Sequence, residues 1–137
     1  MKELKTKALT ITIRPDGIVE METNKGWDQP DTITIAEENV AMLKKAVGGK
    51  PRALLSYMPS TYMSKDVMAC YNKGEIGEIA SAMLTTSFGS RIIGNAYLKL
   101  TGKSAKSSEA EGQAPVKIFS KKEDAVTWLL GEIAKYG

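Results

Sequence analysis

Residues 115–130 have the sequence PVKIFSKKEDAVTWLL, and this stretch decides the fold class. Its first five residues, Pro115 to Phe119, favour a short strand, and the residues after Ser120 have the apolar spacing of a helix. Ser120 and Glu123 have the spacing of a capping box, in which each side chain accepts a hydrogen bond from the other residue's backbone N–H. The stretch therefore predicts a strand that leads directly into a helix, the repeating unit of an α/β domain.

Upstream, the chain begins with a hairpin and a helix, and then repeats the strand-to-helix unit twice. Alternating apolar and polar residues predict strands over 9–14 and 18–23, joined by the turn Pro15-Asp16-Gly17. Thr32 is the predicted N-cap of a helix that ends at Gly48-Gly49. Four further elements are predicted before residue 115: a buried strand over 51–58, a helix capped by Ser64, a strand over 79–86 and a helix over 87–100.

The predicted order β-β-α-β-α-β-α-β-α indicates one α/β domain over residues 1–137. Right-handed crossovers place the helices against a mixed, mostly parallel sheet with an N-terminal antiparallel hairpin. Gly94, inside a predicted helix, indicates close packing on the sheet or an irregular turn. The small and polar residues of 102–114 predict a mobile surface loop.

Apolar spacing also predicts which helical residues face the sheet. In the first helix they are Ile33, Ala36, Val40, Leu43 and Val47; in the third they are Ile92, Ile93, Ala96, Tyr97 and Leu100; in the last they are Ala125, Val126, Leu129, Leu130 and Ile133, with Trp128 as an anchor.

Composition narrows the classes of partner and compartment. The 19 basic and 16 acidic residues give a net charge of +3, and the lysines are scattered rather than clustered, which disfavours a nucleic-acid partner. A single cysteine, Cys70, excludes an internal disulfide and is typical of a reducing cytoplasm. No run approaches the roughly 18 apolar residues that a membrane-spanning helix needs, so we expect a cytoplasmic protein with no membrane insertion.

The sequence contains no histidine, and this lowers the expectation of catalysis. Histidine-based triads and dyads and His-ligated zinc sites are excluded, although carboxylate, Lys, Tyr or Cys chemistry is not. The loops contain no cluster with metal-ligand spacing and no phosphate-binding loop. We therefore expect a protein that is not an enzyme and that has no metal and no cofactor.

Three local patterns resemble the STAS-like, SpoIIAA-like family, the fold of bacterial anti-sigma-factor antagonists. They are the Gly-containing hairpin that leads into an amphipathic helix, the buried strand Lys50-Pro51-Arg52-Ala53-Leu54-Leu55 with its following helix, and Val116 to Ser120 continuing to Trp128-Leu129. The last pattern is the most specific. The resemblance covers nearly the whole chain and is closest to an uncharacterised bacterial branch; it implies the fold and a regulatory, non-catalytic role.

This chain departs from the family at the position of the regulatory switch. Members that regulate sigma factors carry an aspartate at the end of the central strand and a phosphorylatable serine in an Asp-Ser-Ser-Gly stretch. Here Ser56 stands at the aspartate position, and the four-residue stretch is Ser64-Lys65-Asp66-Val67, with Asp66 in place of the target serine. Asp66 has no hydroxyl that could form the phosphate ester of the family's target serine, so the resemblance implies the fold without this switch.

The segment that follows the buried strand is the candidate partner-binding surface, because ligands and partners of open α/β sheets favour the carboxyl ends of the strands. Methionine repacks easily and tyrosine offers a rigid amphipathic face, which suits an adaptable contact. Alternatively, Tyr62 and Met63 pack under the loop as part of the core. The candidate residues are Tyr57, Met58, Ser60, Thr61, Tyr62, Met63, Ser64 and Asp66.

The junction between the next strand and helix is a candidate anion-binding site. Backbone N–H groups at a helix N-terminus favour anions, and an arginine in the first turn can bind phosphate or carboxylate. The alternative is that Ser87 or Ser90 caps the helix while Arg91 lies in solvent. The candidate residues are Thr86, Ser87, Ser90 and Arg91.

Two further features favour structural interpretations. Gly74-Glu75-Ile76-Gly77 has the GxxG pattern of nucleic-acid loops, but the order of elements around it differs from that fold, so a helix interruption is favoured. Cys70, on a predicted helix, is expected to pack as a buried thiol rather than act as a nucleophile.

Together these patterns predict a non-catalytic STAS-like domain that acts through an unknown protein partner, with a homodimer as one form of that contact. A domain that binds a small anionic or lipidic ligand at the Ser87–Arg91 junction is the alternative.

Overall fold

The computed structural model describes residues 2–27, 32–58, 64–73, 76–85, 87–101 and 115–136. Within these ranges the strands are β1 (Lys2–Lys5), β2 (Leu9–Ile13), β3 (Ile18–Thr23), β4 (Ala53–Tyr57), β5 (Ser81–Leu84) and β6 (Val116–Phe119). The helices are α1 (Ile33–Val47), α2 (Lys65–Lys73), α3 (Phe88–Thr101) and α4 (Lys122–Ala134). The predicted loop over 102–114 lies outside the described residues.

The strands form one six-stranded sheet in chain order from β1 to β6. β1, β2 and β3 pair antiparallel, and β3 to β6 pair parallel. The predicted α/β class with a mixed sheet is therefore confirmed. β1 is an additional strand that lengthens the predicted hairpin into a three-stranded meander. Three of the four residues of β1 are charged, so the strand has no alternation of apolar and polar residues and was not predicted.

Of the helices in the described ranges, three cover one face of the sheet and the fourth covers the other. Adjacent strand residues point to opposite faces. Val19 lies in a core cluster with Leu43 of α1, whereas Ile18 lies in a second cluster with Leu129 of α4. Because α2 contacts both α1 and α3, these three helices form a single layer.

Local chemistry determines the turns and helix ends near the N-terminus, as predicted. Gly17 has a φ of 94°, which favours glycine, and the Asp16 carboxylate accepts a hydrogen bond from the Ile18 N–H at 3.2 Å. The Thr32 hydroxyl accepts a hydrogen bond from the Ile35 N–H at 3.2 Å and caps α1, which ends at Gly48 in the left-handed region.

The predicted sheet-facing residues are wrong at four described positions: Ala96 is exposed, and Ile33, Ile92 and Leu130 are 49%, 53% and 38% exposed. In α3 the helix presents Ile93 and Gly94 to the sheet instead. A Cβ at Gly94 would lie 3.3 Å from Thr85 Cγ2 and 3.4 Å from an Ile118 methyl group, which confirms the predicted close packing.

The predicted capping box of the last helix is also wrong. Phe119 still belongs to the sheet, because its carbonyl oxygen accepts a hydrogen bond from the Thr85 N–H at 2.9 Å. The N-cap of α4 is therefore Lys121, which makes no side-chain capping bond, and its carbonyl oxygen accepts the first helical hydrogen bond, from the Ala125 N–H. Ser120 lies one residue too early to cap the helix.

Candidate functional site

The carboxyl edge of the sheet is the side at which β3 to β6 end and the four helices begin. The parallel strands all run toward this side, and each helix returns the chain to the opposite edge. Open α/β sheets place binding sites at this position. The described residues of both candidate sites belong to this edge.

Only part of the candidate partner segment is described. Met58 is half-buried, and its N–H donates to the Leu84 carbonyl oxygen at 3.0 Å. The Ser64 hydroxyl accepts a hydrogen bond from the Val67 N–H at 3.2 Å and caps α2, and Asp66 in the first turn is exposed. Ser60, Thr61, Tyr62 and Met63 lie outside the described residues.

The half-buried Tyr57 belongs to a charged cluster on the α4 face of the sheet, which we call the Glu20 cluster: Arg14, Glu20, Tyr57 and Lys122. One Glu20 carboxylate oxygen accepts from the Tyr57 hydroxyl at 3.3 Å. The same oxygen lies 3.2 Å from Lys122 Nζ and 3.4 Å from a guanidinium nitrogen of Arg14. The other terminal nitrogen of Arg14 lies 2.7 Å from an Asp16 carboxylate oxygen, so Arg14 is shared between two carboxylates and Lys122 is the closer cation of Glu20.

Lys122 holds its charge more firmly than an ordinary lysine does. Hydrogen bonding to Tyr57 and then to Glu20 raises the pKa of Lys122, and these effects outweigh the small penalty of burial. Its ammonium group also lies 5.7 Å from the centre of the Tyr57 ring, in a cation–π contact. The cluster joins the N-terminus of α4 to the sheet at a helix end that has no side-chain cap.

In the candidate anion site, the two described serines bind each other. The Ser87 hydroxyl accepts a hydrogen bond from the Ser90 N–H at 3.1 Å, and the Ser90 hydroxyl accepts one from the Ser87 N–H at 3.1 Å. Ser90 is only 1% exposed, whereas Arg91 is exposed. These hydroxyls serve as caps of α3. Thr86 lies outside the described residues.

The carboxyl edge also exposes apolar surface. Ile33 is the first residue of α1 and Ile92 lies near the beginning of α3, and these two have the largest exposed fractions among the described isoleucines, at 49% and 53%. Each occupies the part of its helix that lies nearest the carboxyl edge. The edge therefore combines exposed apolar side chains with polar groups already engaged in capping.

A buried polar chain connects the helical layer to the first hairpin. Asn39 is 0% exposed; its amide oxygen accepts from the Thr6 hydroxyl at 2.5 Å, and its amide nitrogen donates to the Tyr71 hydroxyl at 2.8 Å. Cys70, next to Tyr71, is half-buried rather than fully buried. Burial, and then the charge of Glu37, raises the pKa of the Cys70 thiol, so the thiol is neutral near pH 7.

Within the described ranges, no group of three or more acidic or cysteine side chains is placed to hold a metal ion. No helix in this part of the chain is both long and apolar enough to cross a membrane. Comparison of the chain with protein-family models, with curated proteins and with solved structures gives no match.

Sequence reasoning missed the Glu20 cluster because its members are far apart along the chain. Alternation is consistent with Glu20 lying on the face of β3 opposite Val19, but it does not indicate which residues of other elements meet Glu20 there. The sequence did contain one signal for a charged contact near the start of α4. It is the pair of consecutive lysines, Lys121 and Lys122, shortly after β6. Only the observed order of strands brings Lys122 across to Glu20.

Proposed function

We propose that the chain is a non-catalytic, cytoplasmic STAS-like domain of regulatory type that acts by binding a protein partner at the carboxyl edge of its sheet. One observation carries this proposal: Ile33 and Ile92 are exposed near the beginnings of α1 and α3 at that edge. Partner surfaces combine apolar contact area with a polar rim.

The polar groups of the edge support a protein partner over a small anion. Thr32, Ser64 and the Ser87–Ser90 pair bind backbone N–H groups of their own helices. These groups are engaged within the fold, so a small anion would have to displace them. Exposed Asp66 and Arg91 supply one charge of each sign around the apolar residues, which suits the polar rim of a protein interface.

The resemblance in the sequence adds the class of protein. A Gly-containing hairpin, a buried central strand and a last strand followed by a helix are the three patterns that prompted it, and all three segments belong to one sheet. Asp66 stands where sigma-factor regulators carry their target serine. The proposed partner contact is therefore independent of serine phosphorylation at this position.

Affinity capture from the source organism tests the proposal. The wild-type chain is expected to retain a polypeptide that Ile92→Glu loses, because a buried carboxylate at the contact is costly. Leu130→Glu is the matched control, since Leu130 is also an exposed apolar helical residue but lies on α4, on the other face of the sheet. Equal retention by both variants would contradict the proposed surface.

A further inference from the structure

The amino edge of the sheet, where β3 to β6 begin and where α1 and α4 end, carries a cluster of basic side chains. The sequence has no acidic residue over positions 39–65, which include the end of α1 and the loop that leads into β4. Three lysines in this segment are exposed, and one arginine is half-buried. We call these four side chains the amino-edge patch: Lys44, Lys45, Lys50 and Arg52.

Hydrogen bonds hold the loop of the patch against the last turn of α1. The Lys50 N–H donates to the Val47 carbonyl oxygen at 3.1 Å. A guanidinium nitrogen of Arg52 donates to the Ala46 carbonyl oxygen at 2.5 Å. The chain is therefore folded back on the end of the helix, and this brings Lys50 beside the lysines of α1.

The patch continues across the amino edge to the end of α4. A Cβ at Gly17, in the turn between β2 and β3, would lie 3.7 Å from the Pro51 carbonyl oxygen and 3.3 Å from an Ile133 methyl carbon. The Tyr136 N–H donates to the Ile133 carbonyl oxygen at 3.0 Å, and Tyr136 is 63% exposed. The edge therefore combines basic side chains with an exposed aromatic residue.

The acidic side chains described at this edge offset little of the charge of the patch. Asp16 forms an ion pair with Arg14 at 2.7 Å, and Glu132 forms one with Lys135 at 2.6 Å. Glu78, shortly before β5, is half-buried. Two of the three carboxylates are thus neutralised by cations outside the patch, and one remains against four basic groups.

The lysines of the patch are not engaged in this way. Within the described ranges, no carboxylate lies within ion-pair distance of Lys44, Lys45 or Lys50. Basic residues in the last turn of a helix complement its partial negative charge. That effect accounts for Lys44 and Lys45 only in part, because Arg52 already binds a carbonyl group of the same turn, and Lys50 lies outside the helix. The excess positive charge is therefore open to an anionic partner.

The chemistry of the patch favours an extended anionic surface over one tightly bound phosphate. Lysine presents a point charge on a flexible stem and lacks the two-pronged geometry with which arginine binds phosphate. The partial negative charge of the helix C-termini opposes an anion held against the backbone. Tyr136 adds an amphipathic ring of the kind that is enriched at the membrane–water interface.

We propose that the amino-edge patch attaches the domain to the surface of a membrane that contains anionic phospholipids, with the domain remaining outside the bilayer. Each basic residue close to such a surface strengthens binding about fivefold, and salt screens the attraction. The attachment is therefore reversible. It lies at the opposite edge of the sheet from the proposed partner contact and does not depend on it, so each surface can fail its test alone.

Co-sedimentation of the full chain with vesicles tests the proposal. The wild type is expected to sediment with vesicles of phosphatidylserine and phosphatidylcholine in equal amounts, but not with vesicles of phosphatidylcholine alone. Lys44→Gln/Lys45→Gln is expected to bind about thirtyfold more weakly, because two charges are lost. The matched control is Lys65→Gln/Lys121→Gln, which removes the same charge from two exposed lysines at the carboxyl edge and is expected to bind like the wild type.

High salt is expected to release the wild type from the anionic vesicles. A wild type that does not sediment with them, or that sediments equally with both kinds of vesicle, would overturn the proposal. Equal weakening by the two double variants would also overturn it, since binding would then follow net charge rather than the patch. Binding of the wild type to duplex DNA or single-stranded RNA, with none to the anionic vesicles, would assign the patch to a nucleic acid instead.

Discussion

The Glu20 carboxylate of β3 accepts a hydrogen bond from the Tyr57 hydroxyl of β4 at 3.3 Å, on the same oxygen that Lys122 of α4 approaches at 3.2 Å. This pair lies beside the end of β4, from which the candidate partner segment continues. The contact links three elements that are distant in sequence. It joins the N-terminus of α4 to the sheet, in addition to the buried apolar contacts of Ala125 and Leu129, although Lys121 makes no capping bond.

Replacing Glu20 by Gln is expected to lower the free energy of unfolding by about 1 kcal/mol, because the amide keeps a hydrogen-bond acceptor but removes the charge that Lys122 and Arg14 neutralise. Urea denaturation at low salt measures the effect. Glu22→Gln, an exposed position on the same face of β3, is the control and is expected to change little. The difference should shrink at high salt, where charges are screened; equal stability of the two variants would contradict the account.

The contribution of Lys122 is expected to depend on pH with a definite sign. Because folding raises its pKa, the charged form stabilises the folded state. The contribution is complete below the ordinary lysine pKa of about 10.4 and is lost as pH rises through the raised value. Denaturation of wild type and Lys122→Gln should differ equally at neutral and mildly alkaline pH, and then converge. Lys121→Gln is the matched control, and a gap that widens with alkaline pH would contradict the assignment.

Two helical glycines are expected to respond oppositely to alanine. A Cβ at Gly131 meets nothing within 4 Å, so Gly131→Ala should stabilise the fold by roughly 0.5–1 kcal/mol through helix propensity. Gly94→Ala gains the same propensity but places a methyl group 3.3 Å from buried Thr85, and it should destabilise the fold by about 1 kcal/mol. Thermal unfolding of both variants measures this, and equal shifts would refute the close approach of α3.

The buried amide of Asn39 is expected to be among the more sensitive polar positions. Asn39→Ala removes both hydrogen bonds and leaves the Thr6 and Tyr71 hydroxyls without this partner, so a loss of about 2–3 kcal/mol is expected. Chemical denaturation measures the loss, and a stability of Asn39→Ala equal to that of the wild type would contradict this account of the chain.

Local chemistry made the turns and the early helix ends predictable. The Pro15-Asp16-Gly17 turn, the Thr32 cap and the left-handed Gly48 each depend on residues within a few positions of one another. Apolar spacing likewise predicted the order of strands and helices from β2 onward. These features do not require knowledge of which elements become neighbours.

What the sequence could not predict depends on tertiary neighbours. The exposure of Ile92 follows from the rotation of α3, which the close approach of Gly94 to Thr85 determines. The Glu20 cluster requires β3 and α4 to meet on one face. In the candidate site, the helix caps at Ser64 and Ser87 were predictable from local spacing. The exposed isoleucines at the carboxyl edge were assigned to the core, because periodicity alone does not show whether the end of a helix is buried or extends into solvent.

Native mass spectrometry of the wild-type protein, purified gently from its own host, tests the central claim most directly. We expect a second polypeptide, different in mass from this chain, to be bound to the wild type, lost from the Ile92→Glu variant and retained by Leu130→Glu. A chain that carries only a small additional mass, with no other polypeptide, would contradict the proposed protein contact and favour the ligand-binding alternative at the Ser87–Arg91 junction.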